Sequence, residues 1–557
     1  MSELSQTRFL ILDCQTTGMR PSVGHLLELA WASGSASELE IEIESSLLQL
    51  PEGAWLPPRV SEVTGIYEKD LKAAIVADEV RSAFLKKLAT FESDVKPMAL
   101  VHYAQFEQPF LADFLASESA DEIAGELPFE LICTHKIAKK LYPTVPSRNI
   151  RGLTGFFGSR IGEIKRAFQH VRATHSIWQG IVKSLAERDI HSVSDLKAFL
   201  AEAPPKAKRG EKKVKAPSYE YRVEREKRLA LPDRPGIYKM KDKDGAILYV
   251  GKATSLKDRV NSYFRGKKGR DPRKLELMAQ VWDLEVVECG SALEAALLES
   301  DEIKRLDPPY NVSLKGNNRA LMFYSRDLES VSLEQDAEHP IGPFRRYNSV
   351  DHLRVLVQGL RNGLVANVFY QPIEASVLEL GFRDFQNKHP EFDFNAQSIR
   401  QHLAYGYRLL KKLAPNDVML EAEIEAKVES DTIASSHIET ESTIELANEE
   451  EEITPEDIVE DLENLYMRAA QSNTRAKKLT RLLWGEVSWI EKGASRSLRV
   501  AHGKIIPTLG AAIDSESISE PHDRTKIAPP WQSLTITDFD RMSILLSEIE
   551  RFRDKIR

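Results

Sequence analysis

Six residues able to act on a phosphodiester occur in order between positions 238 and 299: Tyr238, Tyr249, Lys252, Arg259, Tyr263 and Glu299. Hydrolysis of that linkage needs an activated water, a cation on the phosphoryl oxygens and stabilisation of the leaving oxygen. Phenols, a guanidinium and an ammonium can bind and neutralise phosphate, and one carboxylate can hold a hard divalent ion. Each residue alone has a plainer explanation as core, rim or solvated surface. The ordered set carries the chemistry.

The elements that must position these residues can be read from pattern. Pro235–Met240 and Ile247–Gly251 have strand composition and flank an Asp244-Gly245 turn, a strong hairpin signal. A two-residue loop there pairs positions summing to 489, which sets Tyr238 opposite Gly251 and Met240 opposite Tyr249. Both tyrosines then project from one side of the hairpin. A helix follows, capped by Ser255 or Thr254, with Leu256, Val260 and Phe264 inward and Arg259 and Tyr263 on an adjoining face. Lys252 is expected in the tight turn between strand and helix. Ser291 to Glu294 is a capping-box pattern opening another helix, with Leu293, Ala296 and Leu297 inward and Glu299 at mid-helix.

PGIY at 235–238, YVGKA at 249–253, LKDRVNSYF at 256–264 and LEAALLESDEIKRLDPPYNV at 293–312 together resemble the GIY-YIG nuclease domain. The resemblance spans about residues 231–314 and is closest to the bacterial excinucleases UvrC and Cho. It implies that Tyr238 is the general base, that Tyr249, Arg259 and Tyr263 hold and neutralise the scissile phosphate, and that Lys252 assists. It further implies that Glu299 carries a single Mg²⁺ or Mn²⁺ and that Asn311 organises the site.

The first block opens with Phe9-Leu-Ile-Leu-Asp13-Cys-Gln15-Thr-Thr-Gly18, a strand entering a glycine turn with Asp13 and Gln15 on one face. A second strand (25–30), VSEVTGI (60–66), VHYAQFEQPFL (101–111) and HVRATH (170–175) follow. Over about residues 7–185 this order resembles the DEDDh 3′–5′ exonucleases, a ribonuclease-H-like fold typified by the epsilon subunit of DNA polymerase III. Its catalytic residues carry over incompletely. The Asp-x-Glu motif has Gln15 for its second carboxylate, Glu107 stands for an Asp, and His170 is kept while His175 replaces the acid five residues on. Two-metal phosphoryl transfer wants about four carboxylates; Asp13 and Glu107 supply two. A weakened or inactive exonuclease follows as the expectation, with a satisfied His170–His175 packing pair as the plainer alternative.

Length and composition frame these sites. The 557 residues exceed one hydrophobic core and predict about three or four domains of ordinary globular composition. The expected architecture is multidomain α/β and α+β: a ribonuclease-H-like domain over 1–200, a basic linker over 203–230, a GIY-YIG domain over 231–315, and a mainly helical region over 320–557. No apolar run reaches the roughly 20 residues of a membrane span, no signal peptide opens the chain, and three scattered cysteines give no zinc or redox motif. A cytoplasmic home is the default.

The net charge of −9 is uneven: His437–Tyr466 holds twelve acidic and no basic residues, leaving +3 elsewhere, while Arg234–Lys274 holds thirteen Lys/Arg against four acids. A polyanion responds to that local field within a Debye length of about 10 Å. The acidic insert at about 437–453 reads as disordered, and Thr454-Pro455 opens a well-capped helix with Ile458, Leu462, Leu465 and Ala469 on its apolar stripe.

The expected activity is metal-dependent incision of damaged or branched DNA, of the nucleotide-excision-repair type. Expected partners are DNA, a UvrA/UvrB-type damage-recognition complex and, through the first domain, DNA polymerase III. The alternatives are a proofreading-type exonuclease and a scaffold binding DNA or polymerase with little catalysis.

Overall fold

The computed structural model describes residues 3–553 apart from 92–95, 117–126, 160–163, 203–218, 266–270, 312–319, 363–374, 395–397, 414–453, 507–534 and several isolated positions. The basic segment 203–217 and the acidic insert 437–453 therefore lie outside the described residues. Among the described residues no helix is long and apolar enough to cross a membrane.

The N-terminal sheet contains β1 (Phe9–Thr16), β2 (Leu26–Gly34), β3 (Ile43–Leu47), β4 (Met98–Val101) and β5 (Glu130–Cys133) in the order β3-β2-β1-β4-β5. β1–β3 are antiparallel neighbours, whereas β4 and β5 run parallel to β1. β1 is apolar on both faces because both are covered. Helices α1 (Ala77–Leu88) and α2 (Ala104–Leu115) cover Leu10 and Leu12. After the short helix α3 (Ile150–Phe156), the 20-residue α4 (Ala167–Ala186) covers Phe9 and Ile11, where Trp178 meets Phe9 edge-on at 5.1 Å. Strand parity thus directs Asp13 and Gln15, at the carboxyl end of β1, to the α4 side.

The central sheet is antiparallel, with β7 (Ile247–Ala253) and β8 (Asp283–Glu288) flanking β6 (Gly236–Lys241). Helices α5 (Leu256–Phe264), α6 (Pro272–Gln280) and α7 (Ala292–Leu306) complete the unit. Residues 219–223, given to the linker by charge, are anchored instead, and a short, mostly exposed helix follows at Arg225–Leu229. Val223 is buried beside Tyr238 and Leu256, and Glu220 N–H donates to Thr144 O at 2.9 Å. Tyr219, Tyr221 and Val223 are the apolar signal that the surrounding charged side chains obscured.

The two units meet at α3 and α6. Asn149 Nδ2 donates to Glu276 Oε2 at 2.6 Å, Trp282 Nε1 donates to Gly155 O at 2.9 Å, and the Arg222 guanidinium lies between Phe156 and Trp282. Gly155 permits the approach, because a Cβ there would stand 2.2 Å from Gln280 Cγ.

The third region is mainly helical, as its pattern predicts, with two small sheets. β9 (Leu321–Tyr324), β10 (Val331–Ser332) and β11 (Ile341–Arg345) form one small sheet. Helices α8 (Ser349–Asn362), α9 (Ala375–Lys388) and α10 (Ile399–Leu413) pack on the long α11 (Pro455–Arg481). α11 begins where its caps predict: Thr454 Oγ1 accepts from Asp457 N–H at 3.3 Å, and Ile458, Leu462 and Ala469 are fully buried. A second sheet, β12 (Trp484–Glu491), β13 (Ala494–Ala501) and β14 (Lys504–Ile506), precedes α12 (Ile536–Arg553). α12 lies on α7, where Arg541 binds Asp301 through Nε at 3.2 Å and Nη2 at 2.5 Å.

Candidate active site

The β6–β7 hairpin sets Tyr238 against Gly251 and Met240 against Tyr249, as the sum rule requires. The turn reaches that register differently. Asp242 N–H bonds Ala246 O across a three-residue loop with Gly245 at φ +84°, and the pairing shifts between Met240 and Lys241. The loop moves the register by one, and an extra residue, Leu248, restores it before the tyrosines. That bulge has a second use, since Leu248 O accepts from Tyr310 N–H at 3.0 Å.

Three phenols converge. Tyr238 Oη lies 3.0 Å from Tyr263 Oη, and the three ring centres of Tyr238, Tyr249 and Tyr263 stand 6.0–6.5 Å apart. Tyr263 is on α5, whose Ser255 cap accepts from Asp258 N–H at 3.2 Å and whose Leu256 and Val260 are fully buried. Arg259, one turn before Tyr263, places its guanidinium 5.5 Å from that ring centre. Burial pushes the Tyr238 phenol well above its ordinary pKa, and Tyr249 and Tyr263 push it further, while Arg259 pulls it back. Burial also raises Tyr249, helped by Tyr263 and Glu299. Burial works against the Arg259 cation, yet the three phenols raise its pKa overall.

Glu299 comes from α7, which lies against β7. Its Oε1 accepts from Lys252 N–H at 2.9 Å, and its Oε2 is 3.9 Å from the Lys252 ammonium. Lys252 is thus a β7 residue paired with Ile237, not part of the strand–helix turn, because the strand runs on to Ala253. Burial raises the Glu299 pKa despite Lys252 and Arg259. Asn311 clamps Val250 from both sides, accepting from its N–H and donating to its carbonyl, each at 2.8 Å.

The donor set suits one hard dication. Among the described residues no three His, Cys, Asp or Glu side chains gather as a metal cage, and Glu299 is the carboxylate beside the phenols. Mg²⁺ is commonly held by one or two carboxylates with substrate phosphate and water completing the octahedron. The Glu299 side chain is only 15% exposed, and a bound dication would offset the cost that burial imposes on its charge.

Gly251 makes the convergence possible. A Cβ there would lie 2.4 Å from Tyr238 Oη and 2.8 Å from Tyr249 Cε1. Gly251→Ala is therefore expected to displace both hydroxyls and to lower the incision rate that the resemblance implies by about 100-fold, the cost of an ångström-scale misplacement. Single-turnover nicking alongside a melting curve checks this, and an unaltered rate in a folded variant contradicts it.

The N-terminal cluster is built on β1 and α4. Asp13 Oδ1 stands 3.1 Å from His170 Nδ1, and Gln15 Nε2 donates to Asp13 Oδ2 at 3.1 Å. Glu107 Oε2, from α2, accepts from Cys14 N–H at 3.1 Å. Fully buried Glu28 fixes the start of α4, accepting from Arg166 Nε and Nη2 at 3.0 and 2.8 Å and from Ala167 N–H at 2.9 Å. His175 does not join. Its Nε2 donates to Ser35 O at 2.9 Å, near the opposite end of β1, because five residues along α4 carry it away. The helix residue facing Asp13 is His170, and Lys165 stands five residues before it. The neighbourhood also holds His102, whose pKa burial pushes down to about 3, with His135 and His170 adding to the effect. Sequence reading missed His102 and Lys165; the first stands in the VHYAQFE run and the second only five residues before HVRATH.

The charge excess of Arg234–Lys274 is partly internal. Lys239 binds Glu302 at 2.7 Å and Glu285 at 3.4 Å, Lys241 also binds Glu285, and Arg234 is 3.7 Å from Glu288. The surface field is correspondingly smaller than the local count of +9.

Residues 234–312 match the UvrC-like GIY-YIG domain. A putative bifunctional exonuclease/endonuclease protein of Mycobacterium tuberculosis is 26% identical over 356 residues, 61% of this chain and 50% of that protein. UvrABC system protein C of Moorella thermoacetica is 38% identical over 142 residues, 24% of this chain and 23% of its own. The chain thus spans half or less of the length of these curated relatives. The GIY-YIG N-terminal endonuclease domain of Thermotoga maritima UvrC, solved with its catalytic magnesium, is 34% identical across 94% of that domain and 16% of this chain, with a TM-score of 0.15. Residues 234–312 of this chain are thus similar to a UvrC-like GIY-YIG domain, and they follow an N-terminal α/β domain.

Proposed function

We propose that this chain is a DNA-repair nuclease whose central domain makes metal-dependent incisions in damaged or branched DNA, in the manner of nucleotide excision repair. The convergence of Tyr238, Tyr249, Tyr263, Arg259 and Glu299 in one cluster carries the reading. Glu299 would hold a Mg²⁺ or Mn²⁺, which would supply positive charge against the phosphoryl oxygens. Tyr238, as phenolate, takes the proton of the attacking water. The water oxygen forms its bond to phosphorus as the bond to the leaving oxygen breaks. Arg259 lies against the phenols, where its fixed charge favours the Tyr238 phenolate and meets the equatorial oxygens of the phosphate. Tyr249 and Tyr263 hold those oxygens by hydrogen bonds, Lys252 adds positive charge beside Glu299, and Asn311 fixes β7 under the site. A UvrA/UvrB-type complex delivers the substrate. Purified protein with Mn²⁺ nicks a lesion-bearing or branched duplex; failure on every such substrate, with damage-recognition proteins present, favours the scaffold reading.

The N-terminal domain is proposed to lack exonuclease activity. The Gln15 amide and the His170 ring both address Asp13, and Glu107 is held by a backbone amide, so two carboxylates remain where two dications need about four. Release of mononucleotides from single-stranded 3′ ends is expected to stay at background. Release that disappears in Asp13→Ala overturns this part and leaves the incision reading untouched.

A further inference from the structure

The seam between the first two domains leads back to the phenol cluster. Glu276, on α6 and buried, accepts a hydrogen bond from each side: Asn149 Nδ2 donates to its Oε2 at 2.6 Å, and the Tyr310 hydroxyl donates to its Oε1 at 2.5 Å. Asn149 belongs to the N-terminal domain, where its Oδ1 caps α3 by accepting from Gly152 N–H at 2.8 Å. Gln280, one turn after Glu276, gives a second hydrogen bond to the Tyr310 oxygen. Burial and the Glu276 charge push the Tyr310 phenol well above its ordinary pKa, so its hydroxyl stays a donor.

Tyr310 and its neighbour then hold β7. Tyr310 N–H donates to Leu248 O at 3.0 Å, and Asn311 accepts from Val250 N–H and donates to Val250 O, each at 2.8 Å. Tyr249 stands between these two anchor points and Gly251 follows them. Tyr249 is one of the three converging phenols, and Gly251 is the residue whose missing Cβ leaves room for the Tyr238 hydroxyl. A continuous path of side-chain and backbone hydrogen bonds therefore runs from α3 of one domain, through Glu276 and Tyr310, to the segment of β7 that shapes the cluster in the other.

We propose that Glu276 and Tyr310 are positioning residues of the incision site, which tie β7 to the N-terminal domain through Asn149. The proposal rests on the incision reading, and it gives the N-terminal domain a use that needs no exonuclease chemistry: it braces the strand beneath the phenols. A buried acceptor left without its donor costs more than the bond itself was worth. Loss of one member thus drives the others to turn toward new partners, and β7 loses its fixed anchor. An ångström-scale shift at Tyr249 and Gly251 is then felt at the scissile phosphate.

Four measurements on the full chain test this together: single-turnover nicking of a lesion-bearing duplex with Mn²⁺, DNA affinity in chelator, a melting curve, and hydrogen exchange of peptides covering 247–253. Tyr310→Phe removes one hydroxyl and leaves the backbone bond to Leu248 in place. It is expected to lower the nicking rate about tenfold in a folded protein of unchanged DNA affinity, and to quicken exchange within 247–253. Glu276→Ala is expected to do the same. Glu276→Gln recovers part of the rate, because its amide oxygen still accepts from Asn149 while its amide nitrogen donates to the Tyr310 oxygen. Asn149→Ala, a change in the other domain, also quickens exchange within 247–253. Unchanged rate and exchange in folded variants overturn the proposal, as does exchange that quickens evenly along the chain. A wild type that never nicks ends the incision reading by itself. The exchange measurement then decides the brace, which an unaltered 247–253 in Tyr310→Phe refutes. If the Glu276 variants fail to fold, Tyr310→Phe and Asn149→Ala carry the test.

Discussion

Glu299→Gln abolishes metal-dependent incision, lowering the single-turnover rate by about 1,000-fold or more, while the protein folds and still binds DNA. The amide has the shape of the carboxyl and can still accept from Lys252 N–H, so β7 and α7 stay joined. What is lost is the anionic donor, and a bound dication is worth several kcal/mol of transition-state stabilisation, about three powers of ten or more in rate. The pKa of Glu299 adds a signature. Burial raises it above the ordinary carboxyl value, so protons compete with the metal at a higher pH than for an exposed glutamate. Wild-type incision accordingly falls as pH drops through that raised value, and added Mg²⁺ restores part of it. Rates across a metal titration at two pH values check this, and a Glu299→Gln variant of undiminished activity contradicts it.

Tyr238→Phe lowers incision by about 100- to 10,000-fold, the range of a general base, and removes most of its pH dependence. In the protein without substrate, burial and the two neighbouring phenols hold Tyr238 protonated well above its ordinary range. Below that pKa the phenolate fraction rises about tenfold per pH unit, so the wild-type rate climbs with pH through the neutral and mildly alkaline range. Tyr249→Phe keeps that slope at a lower rate, because its hydroxyl is assigned to phosphate binding, not to proton removal. A steep profile surviving in Tyr238→Phe transfers the base role elsewhere.

The hairpin parity was open to sequence because strand alternation is local: Tyr238 and Tyr249 share a face whatever the distant chain does. The helix carrying Arg259 and Tyr263 was open for the same reason, its cap and apolar stripe lying within ten residues. Lys252 was misplaced because the end of a strand is set by pairing with Ile237, which no local signal marks. His175 was misread because two histidines five apart present the same motif from either one. Only packing on β1 shows that His170 faces Asp13 while His175 reaches Ser35. The α3–α6 seam had no sequence signal, since it arises where two domains dock. Residues 219–230 were hidden by composition, their three apolar anchors standing among seven charged side chains.

The central claim is that one Glu299-anchored cation and the phenol cluster cut a nucleic-acid backbone. Its most direct test is a nicking assay of the full chain on a lesion-bearing duplex, with and without Mn²⁺, beside Asp13→Ala and Glu299→Gln. Metal-dependent nicks made equally by wild type and Asp13→Ala, and absent from Glu299→Gln, are the predicted result. Nicks that persist in Glu299→Gln, or that vanish in Asp13→Ala, would contradict it.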